Sequence, residues 1–128
     1  MRLIAGTTSK GGHYTPGIVS HGMLYISGQL PIDQSTGKVT EGGIAAQTET
    51  ALRNVERVLA AAGAAKENVV MCRVYISDVY LWDEVNRVYA AFFGEHKPVR
   101  VIVPTRELHH GALVEIEAMA EMPEGQED

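Results

Sequence analysis

Near the end of this 128-residue chain two glutamates, Glu115 and Glu117, stand two residues apart in the run Leu113-Val114-Glu115-Ile116-Glu117-Ala118-Met119-Ala120. Read as a strand, that run puts both carboxylates on one face, about 6.6 Å apart at their Cα atoms. A carboxylate so placed can orient a water molecule or take its proton. The same pair can equally be held in ion pairs with Arg73, Arg100 or Arg106. Other reactive residue types are less well placed. Cys72 alternates with Val70, Val74 and Ile76, the pattern of an inert core thiol, and as the single cysteine it offers neither an intrachain disulfide nor a zinc site. His109-His110 is a pair in a loop with no third ligand at a recognisable spacing, and is assigned to the loop. Ser27 sits in Ile26-Ser27-Gly28-Gln29, not in the Gly-x-Ser-x-Gly elbow of hydrolases, which argues against a serine nucleophile.

These residues need elements to hold them. Ile18-Val19 and Met23 to Ile26 read as two short strands around Ser20-His21-Gly22, a hairpin. Asp33 to Lys38 is dense in turn formers and is expected as an exposed loop. Ile44, Thr48, Ala51, Leu52, Val55, Leu59 and Ala62 recur at helical steps, with Gly63 as the stop, and predict an amphipathic helix of about 20 residues. Val69 to Ser77 is rich in β-branched residues; alternation assigns Val70, Cys72, Val74 and Ile76 to one face and Met71, Arg73 and Tyr75 to the other. Trp82, Val85, Val88, Tyr89 and Phe92, ending at Gly94, predict a second helix of about three turns. Val99–Val103 and Leu113–Ala120 are the last two strands, and in the latter Ala112, Val114, Ile116, Ala118 and Ala120 share a face.

The order strand, strand, helix, strand, helix, strand, strand predicts an α+β domain, both helices on one face of a mixed sheet. The other sheet face would carry Met71, Tyr75, Leu113 and Met119 beside Arg73, Glu115 and Glu117. It is too apolar to be left wet and too charged for a dry core. A subunit interface with functional polar groups resolves the conflict, so an oligomer is expected.

Length and a 45% hydrophobic content allow one core and one domain, residues 1–128. No apolar stretch approaches a signal-peptide core or a membrane span, so a soluble, cytoplasmic protein with no membrane partner is expected. The formal charge of −5 and the lack of any Lys/Arg run argue against a nucleic-acid partner.

Pro98-Val99-Arg100-Val101-Ile102-Val103, then Arg106-Glu107-Leu108 and Val114-Glu115-Ile116-Glu117, resembles the signature of the YjgF/RidA family, a Pro-x-Arg strand followed by an Ile/Val-Glu-Ile/Met-Glu strand. Tyr25 to Pro31, Asn54-Val55, Val85-Asn86-x-x-Tyr89 and Phe92-Phe93 resemble the family in order and spacing, so that the resemblance covers about residues 10 to 121. It implies a chorismate-mutase-like α+β fold and a homotrimer whose sheets form a central barrel, with three sites in the clefts between subunits. It also implies cofactor-independent hydrolysis of short 2-imino acids, such as 2-iminobutanoate and 2-iminopropanoate, to 2-keto acids and ammonia. By position, the carboxylate-binding arginine falls on Arg100, the water-holding glutamate on Glu115, the site tyrosine on Tyr14, the serine-glycine pair on Ser27-Gly28 and the asparagine on Asn86. The chain departs from the family at Ile102, where a cysteine is common. In the family the main-chain groups at this place are what meet the substrate. It departs again in the shorter segment Glu95-His96-Lys97-Pro98 and in Pro104-Thr105 and His109-His110.

The implied chemistry is physically coherent. A 2-imino acid offers a carboxylate, an electrophilic carbon and a nitrogen that must gain protons. The Arg100 guanidinium can hold the carboxylate through two parallel charge-assisted bonds, and Glu115 can orient the attacking water. Imines hydrolyse unaided in water, so placement of water and substrate is most of the task, and neither metal nor cofactor is required. Each residue also has a plainer reading: Arg100 as an ion-pair partner, Tyr14 as packing, Asn86 as a backbone binder, Gly28 as a point of close chain approach. The main rival function is a non-catalytic trimer that binds keto acids, followed by the ribonuclease activity attached to some family members.

Overall fold

A computed structural model describes residues 1–5 and 11–127, which leaves residue 10, where the family resemblance begins, outside the described part. Helix α1 spans Ile44–Ala62 and buries Thr48, Ala51, Leu52, Val55, Val58, Leu59 and Ala62 along one stripe. It stops at Gly63, which takes φ 90 and donates its N–H to the Ala60 carbonyl while Ala64 N–H donates to that of Leu59. Both bonds satisfy last-turn carbonyls, and the left-handed backbone is what glycine permits there. Helix α2, Trp82–Phe93, buries Val85, Val88, Tyr89, Phe92 and Phe93 and ends at Gly94. Both helices lie where their apolar periods place them.

Among the described residues eight strands accompany them: β1 Arg2–Ile4, β2 Gly17–Ser20, β3 Met23–Gln29, β4 Ile32–Asp33, β5 Lys38–Val39, β6 Val69–Ile76, β7 Val99–Pro104 and β8 Val114–Glu121. Six form one sheet in the order β1-β2-β3-β8-β6-β7, antiparallel except for the parallel β6–β7 pair. The fold is thus α+β, with a mixed sheet as expected. The β2–β3 hairpin closes through His21 and Gly22, both at positive φ, the backbone a two-residue turn requires. Helix α1 packs across β3 and β8, and α2 packs on α1, so both contribute to a single buried cluster with Val19, Leu24, Ile26, Cys72, Val74, Ile76, Val114 and Ile116 from the sheet. Among the described residues no helix is long and apolar enough to cross a membrane.

Three details differ from the sequence reading. Val70 is exposed while Val69 is buried. Val69 pairs with Ala120 and Met71 with Met119, which makes Val70 the extra residue of a bulge and turns it out of the core. The polar stretch Asp33–Lys38 is the tip of a small hairpin, β4 pairing with β5 in a second sheet. Strand β1, not expected, adds to the sheet edge beside β2.

Candidate functional site

The sheet's alternation divides the candidate residues between its two faces. On β6, Cys72 and Val74 point into the core; their register partners are Arg100 and Ile102 on β7 and Ala118 and Ile116 on β8. Arg73 and Tyr75, which point away, pair with Glu117 and Glu115. Arg100 therefore stands on the helix side of the sheet and Glu115 on the open side.

Glu115 is placed by a bulge. Ile26 pairs with Ala118 and Gln29 with Ile116, so Ser27 and Gly28 together face the one residue Glu117. A Cβ on Gly28 would lie 2.6 Å from Glu115 Oε2 and 3.1 Å from its Cδ. Gly28 is thus the space the carboxylate occupies. Ser27 is fixed by two bonds to the preceding strand's approach: its N–H donates to Pro16 O at 2.9 Å and its hydroxyl to Thr15 O at 2.6 Å. A hydroxyl committed to a carbonyl is a positioning group rather than a nucleophile. Tyr14, Ser27, Gly28, Glu115, Glu117 and His109 line one open cavity of about 1340 Å³. Burial, then the negative charge of Glu117, pushes the Glu115 carboxyl above its usual range, with His109 pulling it back. Glu117 has a different setting, accepting a hydrogen bond from the Tyr75 hydroxyl and pairing with Arg73 at 3.6 Å. Of the two carboxylates, Glu115 has the freer oxygens for a water, and Glu117 is engaged with its neighbours.

Arg100 has its own nest. Its Nη1 donates to Asn86 Oδ1 at 2.8 Å, and its guanidinium lies 4.8 Å from the Tyr89 ring centre and 5.5 Å from that of Trp82. These three partners sit at steps of four and three along α2, one face of that helix. Stacking on rings leaves the guanidinium edge available for an anion. A second cavity of about 390 Å³ opens beside it, lined by Asn86, Tyr89, His96, Lys97 and Arg100 among others. Ile102, two residues on, is half-buried against the core, on a strand that pairs with β6 at the edge of the sheet among the described residues.

Within one chain, then, Tyr14, Ser27, Gly28 and Glu115 come together, Asn86 and Arg100 come together, and the two groups do not meet. The strand order separates Gly28 on β3 from Arg100 on β7 by three strand spacings, roughly 14 Å, besides the sheet itself. Sequence reasoning took Trp82 and Tyr89 for core residues and missed their second task beneath Arg100; the spacing of Trp82, Asn86 and Tyr89 was the available signal. Cys72 is buried, and burial pushes its thiol up to about 11, leaving it unreactive. Among the described residues no three His, Cys, Asp or Glu side chains are grouped as metal ligands.

A family model described as Endoribonuclease L-PSP matches residues 7–122. A RutC family protein of Pyrococcus horikoshii is 41% identical over 109 residues, covering 85% of this chain and 86% of that one. The human 2-iminobutanoate/2-iminopropanoate deaminase is 34% identical over 121 residues, 93% of this chain and 88% of its own. The crystal structure of the YjgF gene product from E. coli superposes with a TM-score of 0.90 at 33% identity, covering 96% of this chain and all (100%) of the other.

Proposed function

The chain belongs to the Endoribonuclease L-PSP family, also called YjgF/RidA, and on that premise we propose that it hydrolyses short 2-imino acids to 2-keto acids and ammonia at sites completed between three copies of itself. The observation that carries the reading is the division of the machinery. An anion anchor, Arg100 on its aromatic bed, and a water-holding carboxylate, Glu115 in its bulge, stand on opposite faces of one sheet. A contact that sets the anchor of one copy against the carboxylate of the next joins two unlike surfaces, and such head-to-tail contacts close into rings when the rotation between copies divides a full turn. Arg100 would hold the substrate carboxylate, Tyr14, Ser27 and Gly28 of the neighbour would shape the cleft, and Glu115 would take a proton from the attacking water. A carboxyl titrating above its usual range is a better base near neutral pH than an ordinary glutamate. The name of the human relative supports the substrate class. The net charge of −5 favours small-molecule chemistry over RNA.

The test is turnover. Imines generated in situ by an amino-acid oxidase are trapped with semicarbazide, and wild type is compared with Arg100→Ala and Glu115→Ala. Each variant is expected to lose about 100-fold or more in kcat/KM. Refolding the two inactive variants together should restore part of the activity, because roughly a quarter of all contacts in the mixture would regain both groups. A folded wild type that is inert towards imines yet binds 2-keto acids would replace the deaminase with a carboxylate-binding regulator. Failure of the mixture to recover would place both groups in one copy.

A further inference from the structure

The turn leading into β8 places two imidazoles, His109 and His110, on the cavity that holds Glu115. It is braced at both ends. Gly111 N–H donates to Leu108 O and Ala112 N–H to His109 O, each at 3.2 Å, and the next amide, Leu113, donates to Oε1 of the buried Gln47 of α1 at 2.8 Å. His110 takes a left-handed backbone, φ 60, which a non-glycine residue holds only where its surroundings fix it. The two rings lie 3.7 Å apart at their centres. Both are exposed to the cavity on a turn fixed relative to β8.

Imine hydrolysis needs two proton carriers working in opposite senses. When water adds to the carbon, one group must take a proton from the oxygen and another must give one to the nitrogen. When the carbinolamine collapses, the directions reverse. Glu115 fills one post. The other titratable groups lining the cavity are Tyr14, Lys38, His109, His110 and Glu117, with Tyr75 and Arg73 beyond Glu117. Tyrosine and lysine ordinarily titrate near 10 and hold their protons too tightly at neutral pH, and Glu117 is engaged by Tyr75 and Arg73. An imidazole exchanges its proton near neutrality. Of the two histidines, His109 is the one whose charge acts on Glu115.

We propose that His109 is the second proton carrier of this site, lining with Glu115 the cavity that would hold the imine. The role rests on the deaminase reading. Glu115 takes a proton from water as the C–O bond forms, and the His109 imidazolium protonates the imine nitrogen. In the second half Glu115 returns its proton to that nitrogen, the C–N bond breaks with its electron pair leaving on ammonia, and the hydroxyl proton passes to His109. Both groups end as they began, and the sum is imine plus water to keto acid plus ammonia.

The experiment is the pH dependence of kcat for wild type, His109→Ala, His109→Gln and His110→Asn, after subtraction of the uncatalysed rate. Wild type is expected to give a bell, rising as Glu115 ionises and falling as His109 loses its proton. The two His109 variants should fall about 100-fold and lose the alkaline limb, with added imidazole restoring part of the rate in His109→Ala. His110→Asn, which keeps a residue type tolerant of the left-handed backbone, should keep both limbs. An active wild type whose His109 variants retain rate and bell overturns this proposal alone. An inert wild type overturns the deaminase reading and this role with it.

Discussion

The Glu115 carboxylate occupies the position where a methyl group on residue 28 would stand, with Oε2 only 2.6 Å from that point. Glycine at 28 is therefore a condition of where the carboxylate sits, since the backbone there is not in the left-handed region and any other residue could adopt it. Gly28→Ala is expected to push the carboxylate out of the bulge and cut kcat about as far as losing the base itself, 100-fold or so, while circular dichroism and the oligomeric state stay those of wild type. An active Gly28→Ala protein would show that the carboxylate works from elsewhere. At this scale periodicity identified residue types, and roles were assigned only through the resemblance to the family. Alternation showed that Glu115 and Glu117 share a face, yet nothing in the sequence said that Glu117 is engaged by Tyr75 and Arg73 and that Glu115 is not.

The elements most legible in sequence are those with the longest apolar period. The two helices bury a stripe at three- and four-residue steps over 19 and 12 residues, enough repeats for the pattern to exceed noise. Strands of two or three residues, such as β1, β4 and β5, hold one alternation at most and leave no such mark. The bulge at Val70 escaped for a related reason: an inserted residue reverses the faces before it, and nothing local announces the insertion. One polar side chain on α1 ties β4 to the helix. Asn54, only 3% exposed, donates through Nδ2 to Leu30 O at 3.0 Å and Ile32 O at 2.9 Å, holding the turn between β3 and β4 against the core. Asn54→Ala leaves those carbonyls without that partner, and urea unfolding should show a loss of about 1–3 kcal/mol.

Across the whole molecule the open face of the sheet carries one unbroken apolar row. Leu3 pairs with Ile18, Ile18 with Tyr25, Tyr25 with Met119, Met119 with Met71 and Met71 with Val99, one side chain from every strand of the sheet. Leu3 is 62% exposed and Val99 67%, and a contiguous apolar band on a sheet face marks an interaction surface. In the proposed trimer this row is covered by the other copies, and Met119→Lys would then bury a charge with no partner, at a cost well above that of a surface change. Light scattering after size exclusion should find wild type as trimer and the variant as monomer. A trimeric Met119→Lys protein would move the contact to another face.

Taken alone, the sequence determined the two helices, the inward faces of β8 and most of β6, the hairpin at His21-Gly22, and the run of blocks that mark the family. All of these are local periods or ordered motifs, which a linear reading can count. Tertiary structure alone decided that Arg100 and Glu115 lie on opposite faces, that Trp82 and Tyr89 bed the guanidinium, and that the loop histidines stand on the cavity with Glu115. Such facts depend on which strands become neighbours and in what register. Strand pairing joins residues far apart in sequence, and a slip of one residue would send every side chain to the other face.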